Sequence, residues 1–265
     1  MKIVAFIFLL FFHSSLIGQT WILEKELLLT DSSHSWTSDE WGQLYQWKNN
    51  TLWLQQNSNP KPFQETFKNF GELTAVLPIN GLRTLLFSEG QQMIGTLDNT
   101  LQLNDEPLAL YDFNFSNITT IATSKRPEFI WLFDQYRERL VLFQINTAQV
   151  VQIVDNCFGG LYDAKIAQFF EYQQNLICLL NDGRYFEFDR NLTLVKSTTL
   201  APGTQLFGFE NAIWIQNALQ FERIGPGVNE GPIELPLMNF KQLQVLQDRF
   251  YFQQGKKIKI YRLKL

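Results

Sequence analysis

The residues able to do chemistry are few. Beyond the first stretch of chain a single histidine remains, His34, in the polar run DSSHSW. Any Ser-His-Asp triad, histidine metal site or Cys-His pair would have to use it. Its setting in a polar run predicts a solvent-facing loop residue. Two adjacent acid pairs, Asp39-Glu40 and Asp105-Glu106, could serve general acid–base work only if residues from other segments joined them. Neighbours in extended chain point apart. Cys157 and Cys178 are the only cysteines, and they form a candidate disulfide in an oxidising compartment. The alternative is a loop thiol at Cys157 and a buried strand thiol at Cys178. No GxGxxG, P-loop or EF-hand spacing occurs, and neither cysteine has zinc-type partners in sequence. These absences predict no cofactor, no metal and no catalysis.

Aromatic placement is the stronger signal. The stretch SDEWGQLYQW at 38–47 sets two acids beside a Trp-Gly corner, with Tyr45 and Trp47 following. Five of the seven tryptophans, Trp21, Trp36, Trp41, Trp47 and Trp53, crowd the start of the chain. Trp47, Trp53, Trp131 and Trp214 sit in strand-like runs and read as core. Trp36 and Trp41 flank a polar segment, and aromatic rings on a rigid rim commonly anchor a protein or stack on sugar. Trp36, Asp39, Trp41 and Tyr45 are therefore candidate partner-binding residues. Phe158 and Tyr162, in the loop NCFGGLY, are a second candidate group. The competing reading is structural. Asp39 before a glycine corner caps a turn, and the aromatic rings pack between sheets.

The bulk numbers allow one large domain. The chain has 265 residues, 45% of them hydrophobic, with 24 Phe, 8 Tyr and 7 Trp. Charged residues make up 18%, with a net of −4 and no basic cluster, which argues against a nucleic-acid partner. Met1-Lys2 and the apolar run Ile3 to Phe12 have the form of a signal peptide, too short to span a bilayer. Cleavage is expected between Gly18 and Gln19, leaving residues 19–265 as one periplasmic domain. Asn49, Asn114, Asn117 and Asn191 head glycosylation-type triplets by chance in a chain rich in Asn and Thr.

What must position any site is a repeat. Helical periodicity is almost absent. Short alternating or wholly apolar runs are broken by Asn, Asp, Gly and Pro turns. In the clearest copy, NLICLLND, RYFEFDR and LTLVKST are three strands with Asp182-Gly183 at the first turn. Equivalent hairpins start near residues 43, 84, 129, 175, 211 and 249, separated by 41, 45, 46, 36 and 38 residues. A further apolar strand precedes each one. A repeat of about 40 residues with four strands predicts a β-propeller, whose ring disposes of sheet edges. Six copies predict six blades. The last copy ends after its third strand, and the spare strand TWILEKELLL at 20–29 would close the ring as its fourth. A solenoid or twin sandwich is the alternative. The final GKKIKIYRLKL reads as a strand whose alternating lysines solubilise one face and block edge pairing.

The first copy, SDEWGQLYQWKNNTLWL, resembles the NHL-type propeller pattern of Asp, a short gap, Gly and an aromatic before a hairpin. The chain over 20–265 is similar to small exported bacterial propellers, a group taken to include the plug subunit of the type IX secretion outer-membrane translocon. Gln43 follows Gly42 where that pattern usually has Asn, and the Gly is missing from most later copies. The resemblance implies a non-catalytic periplasmic protein that binds an outer-membrane complex and closes a large barrel. The alternatives are a glycan-binding propeller using Trp36, Trp41 and Tyr45, or a hydrolase or lyase with acids from several blades meeting at the central channel.

Overall fold

A computed structural model describes residues 20–57, 61–160, 165–217, 220–224 and 232–264. They form six four-stranded antiparallel sheets. Five sheets are built from consecutive strands running from the central channel outward, and the sixth from the last three strands plus the first, so the predicted six-bladed propeller is what the chain forms. Taken in chain order, blade 1 starts with the inner strand Ser35–Ser38, and blades 2 to 5 start with Ala75–Asn80, Ile118–Thr123, Ile166–Tyr172 and Gln205–Phe209. Blade 6 is made of Gln242–Leu246, Arg249–Gln254, Lys257–Lys264 and, as its outer strand, Thr20–Leu28 from the other end of the chain. That last pairing is antiparallel, from Thr20 against Lys264 to Leu28 against Lys257, with a register shift between Leu23 and Lys25. The ring is closed as the sequence predicts. No helix of the described residues is long and apolar enough to cross a membrane.

The wholly apolar second strands follow from the ring. In Phe129–Asp134 of blade 3, Ile130 and Leu132 enter the cluster shared with blade 2, while Trp131 and Phe133 enter the cluster shared with blade 4. Successive side chains point to opposite faces, and here both faces are covered. The same holds for Asn175–Leu180, where Ile177 and Leu179 face blade 5 and Leu176, Cys178 and Leu180 face blade 3. The hydrophobic core is therefore a set of layers between blades.

The sequence places the closing strand of blade 6 well but mistakes the role of its neighbour. Lys257–Lys264 is a third strand paired on both sides, so its charges do not guard an edge. They meet acids across the strand pair. Lys257 lies 3.1 Å from Glu26, and Glu24 takes both Arg249 and Arg262 at 2.9 Å. Ile258 and Ile260, which alternate with Lys257 and Lys259 along the strand, are buried.

Glutamine side chains tie neighbouring blades together, a feature with no sequence signal. Gln168 accepts the Leu206 N–H at 2.6 Å and donates to the Leu206 carbonyl at 2.9 Å, joining blades 4 and 5. Gln244 grips Ser38 in the same way, at 3.0 and 3.2 Å, joining blades 6 and 1. Each amide thus replaces a missing backbone partner between sheets that do not pair.

Candidate functional site

Within each antiparallel blade, the turn from first to second strand and the turn from third to fourth strand lie at the same end. One face of the disc is therefore built from loops such as 39–43, 81–82, 124–128, 98–107 and 189–193. The grooves described below open on this face.

The corner at Asp39 is a turn. Asp39 is 3% exposed. Its Oδ1 accepts the N–H of Trp41 at 3.0 Å and of Gln43 at 2.8 Å, and its Oδ2 accepts Gln43 Nε2 at 2.8 Å. Gly42 takes a φ of 78° to complete the loop, and its N–H donates to the Asp39 carbonyl. The same five-residue loop recurs twice between third and fourth strands. Asp98 accepts the N–H groups of Thr100 and Gln102, and Asp189 those of Asn191 and Thr193. Leu101 and Leu192 take the left-handed position filled by Gly42, at φ 69° and 62°. The shared device is an aspartate that opens a tight turn and bonds the backbone N–H groups of the second and fourth residues after it. Burial raises the Asp39 carboxyl above its ordinary range, against the opposing pull of those hydrogen bonds.

Four of the sequence-derived partner-binding candidates are inside the fold. Trp36 is 2% exposed, wedged between blades 6 and 1, with Nε1 donating to Gln253 Oε1 at 2.8 Å. Tyr45 is buried between blades 1 and 2, and burial pushes its hydroxyl up to about 12. Phe158 plugs the layer between blades 3 and 4, with ring centroids 4.8 Å from Phe186 and 5.4 Å from Phe133. Asp39 forms the turn just described. These side chains present no surface to a partner, because closing the ring covers both faces of each blade. Tyr162 and the expected signal segment 1–18 lie outside the described residues. Trp41 differs, at 55% exposed.

His34 is also displaced from its expected setting. It is buried, stacks on Trp53 at 4.7 Å and 14°, and its Nδ1 bonds Thr30 Oγ1 at 2.9 Å. Desolvation lowers its pKa, which favours the neutral ring. Cys157 and Cys178 are free thiols buried in one core layer, without the candidate disulfide. Burial raises both thiol pKa values, and Cys157 in addition feels Glu138.

At the channel mouth, Glu40 of blade 1 reaches Lys125 of blade 3 at 3.9 Å over a cavity of about 530 Å³. The inner strands of blades 4, 5 and 6 line it. Glu171, on its wall, already accepts Ser124 Oγ and Trp131 Nε1, both at 2.6 Å. A second groove of about 950 Å³ lies between blades 1 and 2, with Trp41 and the 71%-exposed Leu82 on its walls. On the rim, the outer strands of blades 3 and 4, Gln149–Val154 and Leu194–Thr199, leave Val150, Val151, Ile153, Leu194 and Val195 in solvent. The alternating pattern of these strands does not show which of them are outermost, so sequence reasoning misses them.

No protein-family model and no curated protein matches the chain. Solved structures do. Virginiamycin B lyase from Staphylococcus aureus is similar with a TM-score of 0.60 at 10% identity, covering 94% of this chain and 100% of that one. BamB from Moraxella catarrhalis gives 0.56 at 9% identity, covering 92% and 98%. BBS1N, solved in complex with ARL6DN, gives 0.59 at 9% identity, covering 90% and 79%. At these identities the likeness is one of fold, and the chain is a six-bladed β-propeller.

Proposed function

We propose that the chain is a non-catalytic, exported propeller of the bacterial envelope that binds another protein of an outer-membrane complex. Its specific form in this reading is a plug or gate of the type IX secretion translocon. One observation carries the protein-binding part. The outer strand of blade 3 is a free sheet edge that exposes Val150, Val151 and Ile153 and has no charged residue. The outer strand of blade 4 exposes Leu194 and Val195 beside a single Lys196. Soluble proteins normally blunt such edges with charge, as this chain does with Glu24, Lys25 and Glu26 in the outer strand of blade 6. Two apolar edges on adjacent blades, one without charge and the other with a single lysine, suit strand addition or lateral packing by a protein partner. The BBS1N structure, a propeller solved with ARL6DN, is a precedent for the fold carrying a protein.

The non-catalytic part is supported by how the chemical groups are used. Asp39 holds a turn, Glu171 is doubly bonded, and His34 is stacked on Trp53. The test is to isolate the tagged protein from native envelopes in mild detergent and identify its companions by mass spectrometry. A stoichiometric outer-membrane barrel is expected, lost in the double variant Val151→Lys, Ile153→Lys with the fold intact. A protein that comes away alone overturns the reading.

A further inference from the structure

The geometry points to a binding site for an uncharged oligosaccharide in the groove between blades 1 and 2. Trp41 is its platform. The indole lies flat over Gly81, where an added Cβ would sit only 3.2 to 3.4 Å from ring atoms Cδ2, Cε3 and Cε2. One ring face is thus backed by the first turn of blade 2, and over half of the residue stays in solvent. The backbone of Trp41 is pinned at both ends. Its N–H donates to Asp39 and its carbonyl accepts Asn57 Nδ2 at 2.8 Å. A rigid, half-open aromatic face is what the apolar face of a pyranose ring packs against, at little entropic cost.

The rest of the lining is amide. Gln43, Gln56, Asn57, Asn80, Asn99 and Asn104 ring the groove. Several are held at one end and leave the other unengaged among the described residues. Gln43 Nε2 is fixed on Asp39, and Gln56 Nε2 on the Asn99 carbonyl at 2.9 Å. Asn80 Oδ1 takes the Leu82 N–H at 3.0 Å. Their opposite atoms, two carbonyl oxygens and one NH₂, are a donor and acceptor set matched to hydroxyl groups. No carboxylate lines the groove among the described residues, and the one cation, Arg83, is paired with Glu128. A lining without net charge selects a neutral ligand that offers many hydroxyls over an apolar ring face. The groove, at about 950 Å³, has room for several sugar units. This site lies at the loop face of blades 1 and 2, away from the outer strands of blades 3 and 4, so it stands or fails independently of the proposed protein partner.

The test uses the full chain without its expected signal segment. Saturation-transfer NMR and calorimetry would be run with cellohexaose, maltohexaose, chitohexaose and mannohexaose, with hexagalacturonate and a pool of short peptides as controls. At least one neutral hexasaccharide is expected to bind with a Kd on the order of 0.1–1 mM. Trp41→Ala is expected to weaken it about tenfold or more. Gly81→Val, which pushes the indole off its backing, should weaken it as well. Asn99→Ala with Asn104→Ala gives a check that leaves the indole and the core alone, and should weaken binding about threefold, the loss of one modest hydrogen bond. Circular dichroism and melting curves of each variant establish that it is folded. Absence of binding by all four neutral sugars overturns the assignment. So does binding unaffected by Trp41→Ala, or a preference for the galacturonate or the peptides.

Discussion

Replacing Asp39 by alanine should destabilise the fold by undoing the turn that holds Trp41 and Gln43. The carboxylate accepts the N–H groups of Trp41 and Gln43 and the side chain of Gln43 at 2.8 to 3.0 Å. In Asp39→Ala these donors lose their acceptor. A buried donor left unpaired costs about 1–3 kcal/mol, and loss of a capping side chain typically about 1 kcal/mol. Gln43 is only half-buried, so water recovers part of the loss, and the net cost is about 2–3 kcal/mol. For a domain of this size each kcal/mol moves Tm by about 2–4 °C, so the expected drop is about 4–12 °C. Asp39→Asn keeps an acceptor for both backbone groups and removes a buried charge, so its cost should stay below about 1 kcal/mol. The pH dependence gives a second check. Burial raises the folded pKa above the ordinary value of 3.8. The unfolded chain therefore loses this proton first, and stability falls as pH rises. The Asp39 contribution is fully present below 3.8 and lost as pH climbs through the raised folded value. Asp39→Asn should flatten that part of the profile. Urea unfolding followed by tryptophan fluorescence, from pH 3.5 upward, measures all three proteins. An alanine variant as stable as the parent would refute the turn account and return Asp39 to the list of candidate contact residues.

Three further outcomes follow from the packing. Trp21→Ala should cost about 3 kcal/mol and lower Tm by about 6–12 °C, because it empties the layer that closes the ring. That indole sits 4.9 Å from Phe250 and donates to the Glu234 carbonyl at 2.8 Å, and an unshifted melt would mean that the terminal strand does not hold the last blade. At Gly208 an added Cβ would fall 2.1 Å from the Tyr172 ring, so Gly208→Ala should destabilise by about 1–3 kcal/mol, and Tyr172→Ala in the same chain should relieve part of the strain. Cys157 and Cys178 should resist a thiol reagent such as DTNB in the native protein and both react in guanidinium. Rapid native labelling would contradict their burial and their raised pKa values.

The blades were legible because their cues are local. Asp182-Gly183 needs a residue at positive φ, and Gly183, at φ 90° with the Leu200 carbonyl 2.3 Å from where a Cβ would stand, supplies it. The wholly apolar LICLL states that both of its faces are covered, whatever covers them. The turn of blade 2 is less direct. Gly90 lies in it as expected, but Gln92 takes the positive φ of 48° while its side chain clamps Ile118 of blade 3. Nothing in the stretch EGQQ announces that inter-blade bond, since its partner lies in another repeat.

The candidate site was legible only in its neighbourhood. Sequence alone fixed strand order, blade number, the closing strand and the Asp39 corner, since periodicity and turn chemistry act within a few residues. It could not sort Trp36 from Trp41. Both are tryptophans beside the same polar segment. One is sealed by Gln253 and Tyr251, more than 200 positions away in sequence, and the other rests on Gly81 with its surface open. Which aromatic ring is wall and which is surface depends on the blade that arrives next to it, and only the closed ring decides that.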